Sequence, residues 1–321
     1  MLNRRHLLGA TVASAAAAFA GAAWAQTAPS LGTPAIPNPG FRRMKMGDVE
    51  IIALLDGISR RPLGEEFVSN APLAEVRALL AAQNLPTDFI DVPYTPFLVV
   101  AGGRRILMDT GLADWGGPSA GQLVGNLRAA GFAPTDIDTV LISHHHGDHI
   151  NGLRNRAGEF VFSKAKVMVP AGEHAFWMDD RRAAAATDAR MKGLFDGARR
   201  TFASMPAGML STFEPGADIL PGIRSIAAYG HTPGMVMFEV TSAGQTFTYV
   251  ADLTNVPALF ARNPDWAVAF DMDPETARQT RRAAFAKLVA SNSLVGGFHF
   301  PFPAMGRIVA AGNGYAFVPQ G

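Results

Sequence analysis

The stretch that decides the fold is residues 138–153, DTVLISHHHGDHINGL. Its apolar start at residues 140–142 is short and rich in β-branched side chains, which favours a buried strand. The strand leads into a polar loop with the spacing His144-x-His146-x-Asp148-His149. Residues two apart in an extended segment point to the same side, so His144 and His146 can reach one metal ion together.

Beyond Gly147 the chain turns, and Asp148 and His149 can then face a second ion. Imidazole and carboxylate groups are ligands that divalent metals accept. A His-rich tract can also be a loosely metal-binding or merely solvated loop. Here, however, the tract follows a buried strand and ends in Asn151-Gly152, a turn signal. The pattern therefore indicates a metal site, with His145 facing away as a supporting or surface residue.

The composition sets broad limits on fold and function. The chain has 321 residues, of which 48% are apolar, enough for a sizeable core. A net charge of +1 gives no sign of a nucleic-acid surface. The absence of cysteine excludes disulfides, thiolate nucleophiles and Cys-ligated zinc.

The N-terminus is predicted to direct export. Residues 1–25 combine Arg4 and Arg5 with an apolar run at 7–22 and a small-x-small cleavage site at 23–25. The run is too short and too rich in alanine for a membrane span. Paired arginines favour the twin-arginine route, with a plain secretory signal as the alternative. We therefore expect a periplasmic or secreted protein.

The rest of the chain is predicted to form one domain, residues 41–321, after a flexible leader at 26–40 that is rich in Pro, Gly and Ser. Strand and helix patterns alternate in two halves without a linker. They predict hairpins at 44–55, 97–108, 236–250 and 307–318, and helices at 71–83, 122–130, 173–178, 183–204 and 274–290. This α+β pattern predicts sheets packed together with helices outside.

Several other residues are candidates for the site. Asp109 ends a predicted strand, where it is either a cap or a support for a ligand histidine from outside the coordination sphere. Trp115, Trp177 and Phe195 are expected to line the cleft above the metals as a hydrophobic wall, although such aromatics are usually core.

The full set of motifs resembles the metallo-β-lactamase superfamily. After the motif at 144–149 come Gly230-His231, then Asp252 at a predicted strand end, then His299 near the C-terminus. The resemblance implies an αββα sandwich with a two-metal site at one edge. It implies that one metal is held by His144, His146 and His231, the other by Asp148, His149 and His299, and that Asp252 bridges them. Zinc is the default metal, with manganese, cobalt and iron left open.

Within this superfamily the chain most resembles the methyl parathion hydrolase group, from residue 39 to residue 319. Shared motifs include Asp109-Thr110-Gly111, Phe176-Trp177 and Gly230-His231-Thr232-Pro233-Gly234. The chain departs from that group at His145 and Gly147 inside the metal motif, at Trp115-Gly116-Gly117, and at Met235. These departures leave the metal set intact and put the substrate in doubt.

The resemblance implies an exported hydrolase in which a metal-bridging hydroxide attacks a phosphotriester or aryl ester, with Asp148 and Asp252 as catalytic carboxylates. One alternative is a hydrolase of acyl-homoserine or other lactones, although Asn255 stands where such enzymes often have Tyr. Another is a non-catalytic metal-binding protein on the same fold. The expected partner is a small-molecule ester, phosphotriester or lactone, and a homodimer is left open.

Overall fold

The computed structural model describes residues 31–320. The predicted export signal and the first residues of the leader lie outside this range. Residues 31–40 contain no helix or strand, and the Gly40 carbonyl accepts a hydrogen bond from the Leu55 amide. Within the described range, no helix combines the length and the apolar character needed to cross a membrane.

Sixteen strands are present in the described range. In chain order they are β1 (Phe41–Met46), β2 (Val49–Leu54), β3 (Gly57–Pro62), β4 (Phe89–Tyr94), β5 (Phe97–Ala101), β6 (Arg104–Met108), β7 (Thr139–Leu141), β8 (Lys166–Pro170), β9 (Leu210–Phe213), β10 (Asp218–Leu220), β11 (Ile223–Ala227), β12 (Val236–Ser242), β13 (Gln245–Tyr249), β14 (Leu294–Gly296), β15 (Met305–Ala311) and β16 (Gly314–Pro319).

The helices are α1 (Leu73–Ala82), α2 (Leu123–Ala129), α3 (Gly147–Ile150), α4 (Ala171–Met178), α5 (Asp180–Ala185), α6 (Ala189–Phe202), α7 (Pro257–Phe260) and α8 (Pro274–Ser291). Short 3₁₀ turns cover Ala113–Trp115, Pro134–Asp136 and Asn151–Leu153.

The strands form two seven-stranded sheets and one two-stranded antiparallel sheet. The first sheet has the order β1-β2-β5-β6-β7-β8-β9, the second runs β10-β11-β12-β13-β14-β15-β16, and β3 pairs with β4. Strands β6 to β9 are mutually parallel, and so are β13 and β14, whereas the other pairs are antiparallel.

Side-chain alternation explains why the first sheet is buried on both faces. Along β2, Ile51 and Ala53 pack into the core that also holds Phe238 and Tyr249 of the second sheet. Ile52 and Leu54 belong to a second core, built with the helices α2, α4 and α6. Because successive strand residues point to opposite faces, one apolar run serves both layers. Ala284 and Leu288 of α8 lie beside Met237 and Thr248 on the other face of the second sheet, which confirms the predicted αββα sandwich.

The topology brings the candidate site residues to one edge of the sandwich. Asp109 follows β6 and the loop at 143–149 follows β7, while Asp252 follows β13 and residues 297–299 follow β14. Since both pairs are parallel, the carboxyl ends of their strands open on the same side.

The predicted hairpins and most predicted helices are present, with two differences. The pairing of β3 with β4 was not predicted, because β3 is largely polar and β4 contains Pro93. The single helix expected at 183–204 is divided near Asp188, whose side chain caps α6 by accepting a hydrogen bond from the Met191 amide.

Candidate metal centre

The structure brings all seven predicted ligand residues together. Their ligand atoms form three groups, each with all members within 4.8 Å of one another: His144, His146 and His231; His144, His149 and Asp252; and Asp148, His149 and His299. The Asp252 carboxylate lies between the others, 3.1 Å from His149 Nε2, 3.2 Å from His231 Nε2 and 3.1 Å from His299 Nε2.

Hydrogen bonds fix which nitrogen of three imidazoles carries the proton. His149 Nδ1 donates to Asp109 Oδ2 at 2.7 Å, His231 Nδ1 to Asp271 Oδ1 at 2.9 Å, and His299 Nδ1 to the Pro93 carbonyl at 2.8 Å. Burial lowers the pKa of His149 and of His299, but the facing carboxylates outweigh it and hold both above the usual value, so a metal ion would displace a proton from these rings. Once neutral, each imidazole keeps its proton on Nδ1 and presents the Nε2 lone pair to the centre. Such outer partners are the usual means of orienting metal-binding histidines.

A fourth histidine is fixed through a relay. The Ser143 hydroxyl donates to Asp109 Oδ2 at 2.6 Å, so its oxygen can accept from His144 Nδ1 at 3.0 Å. His144 Nε2 is then an acceptor, and it is buried with no hydrogen-bond partner among the described residues.

This arrangement fits a pair of divalent cations. Within the described range, His149 Nε2 and Asp252 Oδ1 are also buried without a hydrogen-bond partner, although they lie 3.1 Å apart. A nitrogen lone pair facing a carboxylate oxygen is repulsive unless positive charge lies between them, either a proton on His149, whose pKa Asp252 raises against the effect of burial, or a metal ion that replaces that proton. A borderline metal ion that takes nitrogen and oxygen ligands satisfies both groups.

The pKa shifts of the protein groups follow from the same contacts. Burial holds the pKa of His144 and of His146 well below the usual value, so both are neutral and can bind metal. Burial alone raises the pKa of Asp252, but the facing His299, His149 and His231 hold it well below its usual value. The centre is therefore built around an ionised carboxylate.

Asp109 organises the His149 side of the centre, as the sequence suggested. It is fully buried with a φ of 59°, and it accepts hydrogen bonds from the Ser143 amide at 2.8 Å and the Tyr249 hydroxyl at 2.6 Å, in addition to those above. It supports a ligand histidine rather than capping a helix.

Asp271 and Arg281 have the corresponding role on the His231 side and were missed by sequence reasoning. Arg281, 1% exposed, donates to Asp271 Oδ2 at 3.2 Å and to the Leu253 carbonyl at 2.8 Å. It therefore connects the His231 partner to the Asp252 loop. No motif marks these residues, since Asp271 is separated from His231 by forty positions.

Glu173 joins the two histidine loops from behind. It is fully buried, and it accepts hydrogen bonds from the His145 amide at 3.0 Å and from the Thr232 hydroxyl at 2.9 Å and the Gly234 amide at 2.7 Å, beside His231. His145 is buried rather than on the surface: its ring stacks on Phe202 at 4.4 Å, away from the centre.

A cleft of about 220 Å³ opens above the centre. Its floor is formed by the buried Asn255 and by five residues of the centre, His146, Asp148, His231, Asp252 and His299. Its apolar wall is made of Val92, Tyr94, Leu112, Leu194 and Phe270, and its charged lining includes Arg61 and Arg190. The Tyr94 ring lies 5.7 Å from the His299 ring.

The three aromatic residues predicted to line this cleft do not line it. Trp177 is fully buried behind His146, where its Nε1 donates to Glu173 Oε1 at 2.7 Å. Phe195 packs against Trp177 in the helical core, and the preceding residue, Leu194, faces the cleft instead, because neighbouring residues on a helix point about 100° apart. Trp115 donates to the Arg154 carbonyl at 2.7 Å and lies outside the cleft lining.

Comparison with known proteins gives a consistent result. Residues 91–291, more than half of the chain, match the family model described as the metallo-beta-lactamase superfamily. Among curated proteins, a hydroxyacylglutathione hydrolase of Xanthomonas oryzae is 33% identical over 102 residues, 30% of this chain and 36% of that protein. A ribonuclease of Thermus thermophilus is 28% identical over 51% of this chain and 36% of its own length. The chain thus spans about a third of the length of these two relatives.

Solved structures match more of the chain. The dizinc quorum-quenching lactonase AidC, in complex with a product, has a TM-score of 0.80 and 26% identity, covering 88% of this chain and 98% of its own. The hydrolase AbOPH, described as belonging to the beta lactamase superfamily, has a TM-score of 0.82 and 28% identity with the same coverage.

Proposed function

Because the chain belongs to the metallo-β-lactamase superfamily and is a metal-dependent hydrolase of that family, we propose that it cleaves aryl esters and phosphotriesters at a centre of two divalent metal ions. The observation that carries this proposal is the convergence of seven buried or half-buried ligand residues below an apolar cleft. A non-catalytic role fits less well, since the two solved neighbours that cover most of the chain are described as a lactonase and a hydrolase.

In this proposal His144, His146 and His231 hold one ion, Asp148, His149 and His299 hold the other, and Asp252 is shared. When bound, the ions supply Lewis acidity that activates water and polarises the substrate oxygen. Zinc is the proposed metal, because imidazole nitrogen and carboxylate oxygen suit it and the dizinc lactonase AidC has a similar fold.

The protein groups mainly supply orientation. The Asp252 carboxylate keeps the two halves of the centre at fixed distance, since it faces three histidines. The side chain of Asp148 is 24% exposed and its Oδ2 lies 3.5 Å from His299 Nε2, so it is the more accessible of the two carboxylates to substrate. Val92, Leu112 and Leu194 provide a wall for the aryl or acyl group.

The cleft offers little acid assistance to a leaving group. Among the described residues that line it, Asp148 and Asp252 are the only carboxylic acids, and both are proposed ligands. General acid catalysis typically contributes about 10²–10⁴-fold. We therefore expect rates to depend strongly on the leaving group, with nitrophenyl esters far ahead of alkyl esters.

The test is a series of phenyl acetates and diethyl aryl phosphates of graded phenol pKa, assayed with one metal-loaded preparation. We expect kcat/KM to rise steeply as the phenol pKa falls, in both series. A flat dependence would contradict the proposal, because it would require an efficient proton donor.

Lactone hydrolysis is a second candidate, favoured by the match to AidC over 88% of the chain. A lactone has a poor alkoxide leaving group that stays tethered. If acyl lactones are opened faster than nitrophenyl phosphotriesters are cleaved, lactonase activity takes first place and Asp148 becomes the proposed proton donor.

We also propose that the chain works in the periplasm or outside the cell, as its N-terminal residues 1–25 suggest, and that its substrate range resembles that of the methyl parathion hydrolase group.

A further inference from the structure

Two arginines line the cleft without an acidic partner. Among the described residues, neither Arg61 nor Arg190 forms an ion pair, whereas both contribute to the wall above the candidate metal centre. Arg190 donates to the carbonyls of Ala269 at 3.4 Å and Phe270 at 3.1 Å. Each guanidinium has five N–H donors, so most of them remain available to a ligand.

The two side chains come from different elements and meet at one aromatic ring. Arg61 belongs to β3 and Arg190 to the first turn of α6. Their guanidinium carbons lie 5.4 Å and 5.7 Å from the centre of the Phe270 ring. Stacking on an aromatic face orients a guanidinium while leaving its edge free for hydrogen bonds.

Both charges are close to the metal centre. Arg190 and Arg61 line the same cleft as His146, Asp148 and His299 of the centre. The Tyr94 side chain hydrogen-bonds with Arg61, and its ring lies 5.7 Å from the His299 ring. Tyr94 therefore contacts both Arg61 and a residue of the centre.

The balance of charge in the cleft is therefore positive. Its two carboxylates, Asp148 and Asp252, belong to the centre, where they offset only part of the charge of two divalent ions. Both arginines are exposed residues at the rim of the cleft, and a neutral ester would make no use of their charge. An anionic group on the substrate would gain charge-assisted and bidentate hydrogen bonds there.

We propose that Arg61 and Arg190 form an anion-binding subsite, and that the preferred substrate is an ester or lactone carrying a carboxylate a few bonds from the bond that is cleaved. This inference rests on the proposed function for the cleavage step. It identifies the two arginines as specificity determinants that select among the esters and lactones which the centre can cleave.

The first test compares two substrates with the same leaving group, 4-nitrophenyl valerate and mono-(4-nitrophenyl) glutarate. The quantity measured is the ratio of kcat/KM for the glutarate to kcat/KM for the valerate. We expect this ratio to exceed one in the natural protein and to fall about tenfold in Arg61→Gln and in Arg190→Gln, the loss expected for one hydrogen bond to a charged group.

Arg104→Gln is the matched control, because Arg104 is exposed at the start of β6, the end of that strand opposite the centre. It should leave the ratio unchanged. Since Arg190 also holds the backbone at 269–270, Arg61→Glu provides a variant that keeps those bonds and should bring the ratio below one. A ratio that is unaffected by both Arg61 substitutions would overturn the proposal.

A binding measurement separates this inference from the proposed function. Calorimetry on the metal-loaded protein compares 4-phenoxybutanoate with 4-phenoxybutanamide, neither of which is an ester. We expect the carboxylate to bind about tenfold more tightly, and the preference to disappear in the Arg61→Gln/Arg190→Gln double variant. If no ester or lactone is hydrolysed but this preference behaves as expected, the proposed function fails and the subsite stands. A preference that survives in the double variant shows that the anion binds to the metals alone, and it overturns the subsite.

Discussion

Replacing Asp109 by Asn should weaken the ion held by His149 more than the ion held by His144, because Asp109 contacts His149 directly and His144 only through Ser143. Three donors meet at Asp109 Oδ2, from His149 Nδ1 at 2.7 Å, the Tyr249 hydroxyl at 2.6 Å and the Ser143 hydroxyl at 2.6 Å. Asn has nearly the same shape and tolerates the left-handed backbone conformation at this position. The substitution therefore changes the hydrogen bonds with little strain in the backbone.

The amide can be placed in two orientations, and both are unfavourable. If its NH₂ group faces His149 Nδ1, the imidazole must move its proton to Nε2 and lose the lone pair aimed at the centre. If its oxygen faces His149, the NH₂ group opposes the Ser143 amide, which costs about 1–3 kcal/mol, and a neutral acceptor replaces a carboxylate. Losing such an outer partner typically reduces metal affinity about 10–100-fold, or about 1.4–2.8 kcal/mol.

The assay is competition for zinc against a chromophoric chelator, which resolves the two binding steps. We expect the dissociation constant of one binding step to rise about 10–100-fold and that of the other step to rise by less, because Asp109 reaches His144 only through Ser143. Asp138→Asn is the control, since Asp138 is exposed and accepts from the Arg105 amide next to the opposite end of β7. Unchanged affinities in Asp109→Asn, or an equal loss in the control, would refute this account of Asp109.

Other substitutions test the remaining parts of the structure. In Gly152→Ala the new Cβ would lie 1.8 Å from the Thr110 carbonyl oxygen, so urea unfolding should show a free energy of unfolding lower by at least about 1–3 kcal/mol. Gly125→Ala, on the open face of α2, should instead raise the free energy of unfolding by about 0.5–1 kcal/mol. Similar changes in both variants would contradict the packing described for Gly152. Burial raises the pKa of Asp56 from 3.8 to about 6, so its contribution to stability is present below about pH 4 and is lost as the pH rises through 6. The free energy of unfolding relative to Asp56→Asn should fall by roughly 2.5 kcal/mol between pH 4 and pH 7, and a rise over that range would show the wrong sign. His145→Ala should keep both metal equivalents by elemental analysis while it loses about 1–3 kcal/mol of stability through the cavity beside Phe202; loss of one equivalent would assign His145 to the centre.

The motif at 144–149 could be recognised as a metal site from the sequence because its signal is local, a fixed spacing after a buried strand. His231, Asp252 and His299 were assigned as ligands through the resemblance to the metallo-β-lactamase superfamily. Parallel pairing of β6 with β7 and of β13 with β14 then makes their convergence a consequence of topology.

The surroundings of the centre could not be predicted in the same way, because they depend on contacts between distant segments. Asp271 is recognisable only once it lies 2.9 Å from His231, and Arg281 only through its bond to Asp271. The cleft wall was predicted wrongly for a similar reason. Whether Leu194 or Phe195 faces the cleft depends on the rotation of α6 about its axis, and the hydrophobic pattern permits either.

The two-stranded β3–β4 sheet shows where hydrophobic alternation fails to predict strands. Its polar Arg60 and Arg61 obscure the strand pattern, yet β4 supplies Val92 and Tyr94 to the cleft wall. Arg61, one of the two residues that obscure the strand pattern, is also one of the two arginines that we propose to bind the substrate.

The central claim is that these seven side chains hold two divalent ions. The most direct measurement is element-specific anomalous diffraction from crystals of the purified protein. We predict two peaks inside the cage of histidines, one nearest His144, His146 and His231 and the other nearest Asp148, His149 and His299, with Asp252 between them. A single peak in fully active crystals, or a metal bound elsewhere on the chain, would contradict the claim.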